Sequence, residues 1–300
     1  MRSFIFGTDW GEDCDDVVAL RLILRYHKAG KARLLGTVIN TCAEKSVSSM
    51  YGFLNYEGVD NIAVGIDKSV SHVKIETRYQ DRLSKYAPNV TNDDAEDGVR
   101  LYRRLLAEAQ GKVEIIEVGF LQALAGAIMS EGDDISPMTG KELFAQKVEK
   151  LWIMGGKWDE QSGREYNFCR HSEARVGASI VCAECPCPIT FLGWEIGNRV
   201  STGDFLDKDD ILYGVLCDWH GAPSGRESWD PMTALLAMIG DEEQAGYSTV
   251  SINPSVNCDT GANIFEVNEK SNRKYVVKKH PDSFYIDMIN DIIKSEVKNV

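Results

Sequence analysis

Short apolar runs alternate with longer amphipathic segments along most of this chain, and few folds are compatible with that pattern. Strands of a parallel sheet are buried on both faces and form continuous apolar runs, whereas the helices that join them are apolar on one side. The alternation predicts an α/β fold with a mostly parallel central sheet flanked by helices. The predicted strands are Ser3–Thr8, Arg33–Ile39, Val113–Val118, Lys150–Met154 and Pro188–Leu192. The predicted helices are Asp15–Lys28, Ala43–Tyr56, Ala95–Ala109, Leu121–Met129, Gly140–Val148 and Lys208–Trp219.

The remaining sequence gives no sign of a second domain. No repeat, low-complexity tract or Pro/Ser-rich linker divides the chain, so we expect one domain over residues 1–300. Thr249–Ile252 and Tyr275–Lys278 are expected to form a late hairpin or edge, and Ser283–Ile293 a closing helix.

The charge balance limits the partners that this protein can bind. The formal net charge is −13, with 46 acidic and 33 basic residues, which argues against nucleic acid because phosphate binding needs clustered Lys and Arg. No apolar run approaches the roughly 20 residues of a membrane span. Met1, Arg2 and Ser3 lead directly into a strand without a signal-peptide pattern. We therefore expect a soluble, cytoplasmic protein that binds a small molecule.

Cys182, Cys185 and Cys187 form a C-x-x-C-x-C spacing that could suggest zinc. No His/Cys pair follows at zinc-finger spacing, and the run leads into an apolar strand. We therefore interpret these cysteines as small buried apolar residues.

The stretch between the first strand and the first helix is strongly acidic. It places five carboxylates in eight residues, namely Asp9, Glu12, Asp13, Asp15 and Asp16. Carboxylates this close repel one another unless protons or a cation intervene. A solvated charge run does not suit a position between two apolar elements, and a helix cap needs only one or two acids. A hard divalent cation bound through oxygen, Ca²⁺ or Mg²⁺, explains all five best.

Two familiar loops of this kind do not match. If Asp9 were the first position of an EF-hand, Cys14 would stand where glycine is required and Leu20 where a bidentate glutamate is required. A phosphoryl-transfer aspartate loop would need nearby Lys and Ser/Thr partners at recognisable spacing. The cation must therefore take further ligands from distant loops.

Several of these loops are predicted at one edge of the sheet. Asn40 follows the second strand, Gly119–Gln122 the third, and Met154, Gly155 and Gly156 end the fourth. Ligands bind beyond the carboxyl ends of parallel strands, so these segments and the acidic stretch indicate one shared site.

At this point the sequence resembles the inosine-uridine preferring nucleoside hydrolases, in a longer-loop D-x-G-x-D-x-D-D form. The signature is GTDWGEDCDDVVAL at residues 7–20, which has two extra residues before the Asp-Asp pair. The resemblance spans roughly residues 3–240 and implies the open α/β fold of that family. Five later segments match in order, namely TVIN (37–40), EVGFLQALA (117–125), WIMGG (152–156), EYN (165–167) and SWDPMTAL (228–235).

The resemblance implies a role for each matched residue. Asp9, Asp16, Asp230 and the backbone carbonyl of Gln122 would bind Ca²⁺, and Asp9 would also be the general base that deprotonates the attacking water. Asp15 and Asp230 would accept hydrogen bonds from ribose hydroxyls. The catalytic set is then Asp9, Asp15 and Asn40, and the substrate-binding set is Asp15, Asn40, Glu165, Asn167, Trp229 and Asp230.

Two departures from the family pattern bear on activity. The residue two before Asp9 is commonly Asp but is Gly7 here, and the residue before Asp230 is commonly a histidine that acts as the leaving-group acid but is Trp229 here. Tryptophan cannot donate a ring proton, but it can stack on a departing base. Core packing is an alternative role for Trp229, and Trp10 is a second candidate wall for the base pocket.

The resemblance predicts a Ca²⁺-dependent hydrolase of ribonucleosides that releases ribose and free base in nucleoside catabolism, including purine metabolism. We also expect a homo-oligomer. The alternatives are a non-catalytic nucleoside- or sugar-binding relative and a hydrolase of the same fold that acts on another riboside. The retained Asp9, Asp15, Asp16, Asn167 and Asp230 argue against a mere binder.

Overall fold

A computed structural model describes residues 1–294 of the chain. Its strands are β1 Arg2–Thr8, β2 Ala32–Ile39, β3 Ala63–Ile66, β4 Glu96–Asp97, β5 Val113–Glu117, β6 Val148–Met154, β7 Ser162–Gly163, β8 Ile189–Leu192, β9 Ser201–Thr202, β10 Arg226–Glu227, β11 Tyr247–Val256, β12 Asn263–Val267 and β13 Arg273–Lys278. Its helices are α1 Asp15–Lys28, α2 Ser46–Tyr56, α3 Gln80–Leu83, α4 Gly98–Glu108, α5 Gln122–Met129, α6 Gly140–Lys147, α7 Tyr166–Cys169, α8 Ser172–Glu184, α9 Trp194–Gly197, α10 Ile211–His220, α11 Trp229–Ile239 and α12 Asp282–Lys294. Short 3₁₀ turns occupy Lys68–Val70, Ser84–Tyr86 and Asn92–Asp94.

The predicted mostly parallel sheet is confirmed. Eleven strands form one sheet in the order β4-β3-β2-β1-β5-β6-β8-β13-β11-β12-β7. Every pair from β4 to β13 is parallel, and the pairs from β13 to β7 are antiparallel. A separate two-stranded ribbon joins β9 and β10.

Helices cover both faces of the sheet, as the alternation predicts. One hydrophobic cluster packs α1, α2, α10, α11 and α12 against the sheet, and a second packs α4, α5, α6 and α8 against the other face. Cys182, Cys185 and Cys187 are buried in this second cluster. Within residues 1–294, no helix has both the length and the apolar composition that crossing a membrane requires.

The structure differs from the predicted strands and helices in the carboxyl-terminal half of the chain. The two late strands pair antiparallel as expected, with Tyr247 opposite Lys278, but neither is an edge: β13 lies between β8 and β11, and β12 lies beyond β11. The helices α8 and α11 were not predicted, because small and apolar residues surround both and blur the helical period. The closing helix is present as α12.

The parallel strands all direct their carboxyl ends to one edge of the sheet. Asp9 follows β1, Asn40 follows β2, Val118 follows β5 and Gly155 follows β6. The loops predicted to share one site therefore meet at this edge of the sheet. The assignment of a single domain to residues 1–300 stays a prediction.

Candidate active site

A cavity of about 290 Å³ opens at this edge of the sheet. Its lining combines carboxylates and an amide with aromatic side chains and an arginine. The lining residues are Asp9, Glu12, Asp13, Asp15, Val118, Met154, Glu165, Tyr166, Asn167, Trp194, Arg226, Trp229 and Asp230.

The acidic loop turns sharply between β1 and α1. Gly11 adopts a φ of +106°, a conformation that favours glycine, and its N–H donates to the hydroxyl of Tyr79 over 2.8 Å. Asp15 and Asp16 then form the first turn of α1, where the helix dipole favours negative charge. Both side chains are thereby held at the carboxyl end of β1.

Asp230 enters from a distant part of the sequence, in the first turn of α11. Its backbone N–H donates to Oδ2 of Asp15 over 3.1 Å. Carboxylate oxygens of Asp15, Asp16 and Asp230 all lie within 4.8 Å of one another, and all three residues are buried. Helix α11 thus completes a group of carboxylates that α1 begins.

This group fits a hard divalent cation. Oδ1 of Asp16 accepts a hydrogen bond from Thr8, but its buried Oδ2 has no hydrogen-bond partner among residues 1–294. An orphaned buried carboxylate oxygen is unfavourable unless a proton or a cation satisfies it. A donor set made only of oxygens is the kind that Ca²⁺ and Mg²⁺ prefer.

The electrostatics of the group agree with this reading. Burial and then the neighbouring carboxylates raise the pKa of Asp9, Asp15 and Asp230 well above its ordinary value. Burial raises the pKa of Asp16 to about 7, against a lowering hydrogen bond from Thr8. A divalent cation among these groups would favour their ionised forms.

The three carboxylates that lie closest together are not the three predicted as metal ligands, because Asp15 stands in the place of Asp9. Asp15 takes part in the group within 4.8 Å together with Asp16 and Asp230. Asp9 lines the cavity, and burial followed by the nearby carboxylate of Asp16 raises the pKa of Asp9. Asp9 therefore lies next to the candidate metal position.

Gln122 is not brought to the cavity. It is the first residue of α5, so its carbonyl is directed along the helix, and its side-chain Nε2 donates to the carbonyl of Asn40 over 2.7 Å. Val118, at the end of β5 in the same motif, lines the cavity instead. Its position at a strand end was the signal that could have identified it.

Glu165 and Asn167 occupy the cavity wall through the cap of α7. The carboxylate of Glu165 accepts hydrogen bonds from the N–H groups of Gly156 and Asn167, over 3.0 and 2.7 Å. Burial raises the pKa of Glu165 to about 7, although these N–H groups lower it. The Nδ2 group of Asn167 donates to the carbonyl of Val118 over 2.8 Å.

Asn40 is fully buried and is not among the residues that line the cavity. Its N–H donates to the carbonyl of Thr8 over 2.7 Å, which joins the end of β2 to the residue before Asp9. Its side-chain Nδ2 donates to Glu117 over 3.1 Å.

Trp229 lines the cavity at the start of α11, and its Nε1 donates to the carbonyl of Trp194 over 2.7 Å. Trp10 does not reach the cavity. It is fully buried, donates from Nε1 to Ser49 over 2.9 Å and packs on Phe53. The proposal of Trp10 as a base-pocket wall was therefore wrong, because its ring completes the core around α2.

The sequence did not identify three further lining residues. Tyr166, Trp194 and Arg226 line the cavity beside Trp229. The guanidinium of Arg226 lies 5.2 Å from the ring centre of Trp229. Tyr166 stands inside the EYN segment and could have been proposed, but Trp194 and Arg226 carry no motif.

Comparison with known proteins agrees with the fold. A sequence profile of the inosine-uridine preferring nucleoside hydrolases matches residues 4–278. The crystal structure of an inosine-uridine preferring nucleoside hydrolase from Bacillus anthracis is similar with a TM-score of 0.69 at 16% identity, covering 98% of this chain and 99% of that one. The type III effector protein XopQ, complexed with adenosine diphosphate ribose, is similar with a TM-score of 0.68 at 14% identity, covering 98% and 93%. No curated protein sequence matches significantly. The profile match covers most of the chain, which therefore belongs to the inosine-uridine preferring nucleoside hydrolase family.

Proposed function

We propose that this enzyme hydrolyses the N-glycosidic bond of ribonucleosides and releases ribose and a free base. The observation that carries the proposal is a cavity lined by Asp9, Asp15 and Asp230 together with aromatic side chains. A carboxylate oxygen of Asp16 lies within 4.8 Å of those of Asp15 and Asp230. Carboxylates suit a sugar that becomes positively charged, and aromatic rings suit a planar base.

We propose Ca²⁺ as the cofactor, held by Asp15, Asp16 and Asp230 with Asp9 beside them. When bound, the cation would neutralise these carboxylates and lower the pKa of a water molecule in contact with it. The carbonyl of Val118, which Asn167 already contacts, is a further candidate ligand in place of Gln122.

In the proposed reaction Asp9 acts as general base. It accepts a proton from the attacking water while the water oxygen bonds to C1′ of the ribose. The C1′–N bond breaks, and its electron pair leaves with the base. Positive charge develops on the ribose, and the surrounding carboxylates stabilise it more than they stabilise the neutral substrate.

The remaining polar residues would orient the sugar. Asp15 and Asp230 would accept hydrogen bonds from ribose hydroxyls, and Glu165, Asn167 and Asn40 would fix the other hydroxyls and the water. Such orientation removes much of the entropic cost of reaching the transition state.

The leaving base would stack on Trp229. Among residues 1–294, no histidine lines the cavity, and we propose that the base takes its proton from solvent. Stacking on an aromatic ring would stabilise a departing purine more than a smaller pyrimidine.

A second candidate is hydrolysis of another riboside, or binding without hydrolysis. The similar effector structure contains adenosine diphosphate ribose, and Arg226 could pair with an anionic substituent at the cavity. Cytoplasmic location and a homo-oligomeric state also remain proposals.

A substrate panel distinguishes these possibilities. Inosine, uridine, adenosine and adenosine diphosphate ribose would be incubated with Ca²⁺-loaded protein, and released ribose and base would be quantified by chromatography. We expect equal amounts of ribose and base from at least one nucleoside. Binding of these compounds by calorimetry without product formation would favour the non-catalytic alternative.

A further inference from the structure

Glu117 and Gly7 lie side by side in the centre of the sheet. They are register partners on the parallel strands β5 and β1. A Cβ atom added at Gly7 would lie 2.0 Å from Oε1 of Glu117, so the carboxyl group of Glu117 occupies the space above Gly7. A side chain at residue 7 would exclude it.

Glycine at this position lets Glu117 reach across a whole strand. The sheet order is β2-β1-β5, so β1 separates Glu117 from Asn40 at the end of β2. Even so, Oε2 of Glu117 accepts a hydrogen bond from Nδ2 of Asn40 over 3.1 Å. Oε1 accepts a hydrogen bond from the hydroxyl of Tyr102 in α4. The carboxyl group is fully buried, and both of its oxygens are satisfied.

This contact determines which way the amide of Asn40 faces. With Nδ2 bound to Glu117, Oδ1 is left as a buried acceptor that has no hydrogen-bond partner within residues 1–294. The backbone of Asn40 is fixed as well, because its N–H donates to Thr8 and its carbonyl accepts from Gln122. The residue that carries this unpaired acceptor is hydrogen-bonded to Thr8, directly before Asp9. A buried acceptor of this kind suits a hydroxyl or a water molecule as donor.

We propose that Glu117 is a positioning residue that reaches through the gap at Gly7 and holds Asn40 with its Oδ1 free to accept a hydrogen bond from the bound riboside or the attacking water. The proposal rests on the proposed function. It predicts that the acceptor oxygen of residue 117 matters, and that the bulk of its side chain matters less.

Two substitutions of similar length separate these effects. Glu117→Met fills the space above Gly7 but offers no acceptor to Asn40, whereas Glu117→Gln retains an acceptor. We expect Glu117→Met to lower kcat about 10–100-fold, the loss typical of residues that orient an active-site ligand. Glu117→Gln should retain most of kcat, and KM should change less than kcat in both variants.

A relocation of the carboxyl group provides a stricter test. In the double variant Gly7→Asp/Glu117→Ala, a carboxylate returns to the same space from β1. It should recover a large part of the kcat lost in Glu117→Ala, whereas Gly7→Asp alone should disturb folding because its side chain meets Glu117. Recovery would support positioning through Asn40. A folded double variant no faster than Glu117→Ala, or a Glu117→Met enzyme with the kcat of the unmodified protein, would overturn the proposal.

A readout independent of activity separates this proposal from the proposed function. The side-chain amide signal of Asn40 in ¹⁵N NMR spectra, assigned with Asn40→Asp, should exchange slowly with solvent in the unmodified protein and in Glu117→Gln. In Glu117→Met it should shift and exchange faster. If no nucleoside is hydrolysed by the unmodified protein, the proposed function fails, and this signal alone decides the role of Glu117. An unchanged amide signal in Glu117→Met would refute it.

Discussion

Arg226 and Asp13 form a two-contact ion pair in the wall of the cavity. Nε of Arg226 donates to Oδ1 of Asp13 over 2.9 Å, and Nη2 contacts Oδ2. The pair connects the acidic loop to β10, across most of the sequence. It also neutralises one of the five carboxylates that the loop concentrates.

Removing only the cation of this pair should destabilise the protein. Arg226→Gln leaves Asp13 unpaired beside Asp15, and we expect a loss of about 1.5–3 kcal/mol in the free energy of unfolding, the range for hydrogen bonds to charged groups. The double variant Arg226→Gln/Asp13→Asn should regain part of that loss. Urea unfolding of both single variants and the double variant measures the coupling, and strictly additive effects would contradict it.

Asp9 and Asp13 should differ in their effect on the rate. Asp9→Asn removes the proposed base and should lower kcat by at least the ~10²–10⁴-fold that general-base catalysis typically contributes. Asp13→Asn should lower it far less, because Asp13 is already occupied by Arg226. Equal losses in the two variants, measured as ribose release, would show that the loop has been assigned incorrectly.

Removal of the cation should lower stability as well as activity. The candidate ligands Asp15 and Asp16 lie in the first turn of α1, and Asp230 lies in α11. A cation bound only by the folded state would therefore stabilise the contact between these two helices. At a hundredfold excess over its Kd, such a ligand contributes about 2.7 kcal/mol. Thermal unfolding after EDTA dialysis should show a lower Tm that Ca²⁺ restores. A Tm that stays constant in protein verified to be metal-free would count against the cation.

Trp229 should discriminate between leaving groups. If it stacks on the base, Trp229→Ala should slow hydrolysis of a purine nucleoside markedly and spare p-nitrophenyl riboside, whose phenolate leaves without protonation. The stacking contribution expected beyond buried area is about 0.5–1.5 kcal/mol.

Trp152→Phe is the control for that experiment. Trp152 is buried in the core away from the cavity, so its substitution should affect the two substrates alike. If Trp229→Ala also affects both substrates alike and lowers Tm, Trp229 has a packing role only.

Glu242 should make stability depend on pH far from the active site. Burial alone would raise its pKa, but hydrogen bonds from Lys150 and Lys274 outweigh burial and lower the pKa to about 2. Unfolded glutamate has a pKa of about 4.3, so the folded state is favoured above that pH and the advantage disappears as the pH falls toward 2. Glu242→Gln should therefore cost stability at pH 7 and much less at pH 3. Glu243→Gln, at the exposed neighbouring position, is the matched control. An effect of Glu242→Gln on stability that does not change with pH would contradict the lowered pKa of Glu242.

The parallel sheet could be predicted from the sequence, and so could a shared site for Asp9, Asp15, Asp16 and Asp230. Both depend on strand ends and motifs that lie within short segments of sequence. The carbonyl ligand predicted at Gln122 stays a prediction, because Gln122 begins α5 and Val118 of the same motif lines the cavity. Pairings between distant segments were not predictable. The contact of Arg226 with Asp13 is an example, because no local pattern marks it.

Gly7 illustrates the same limit. In the sequence it is the loss of a carboxylate two residues before Asp9. In the structure a carboxyl group is present in that space, contributed by Glu117 from the neighbouring strand. Compensation of this kind depends on cross-strand register, which the sequence does not specify.

The most direct test of the central claim is the release of reducing sugar from nucleosides by metal-free and Ca²⁺-restored protein. We expect EDTA-treated protein to release no ribose, added Ca²⁺ to restore release, and Asp9→Asn to stay inactive with Ca²⁺ present. Folded, Ca²⁺-loaded protein that releases no ribose from any nucleoside tested, or metal-free protein that retains full activity, would contradict it.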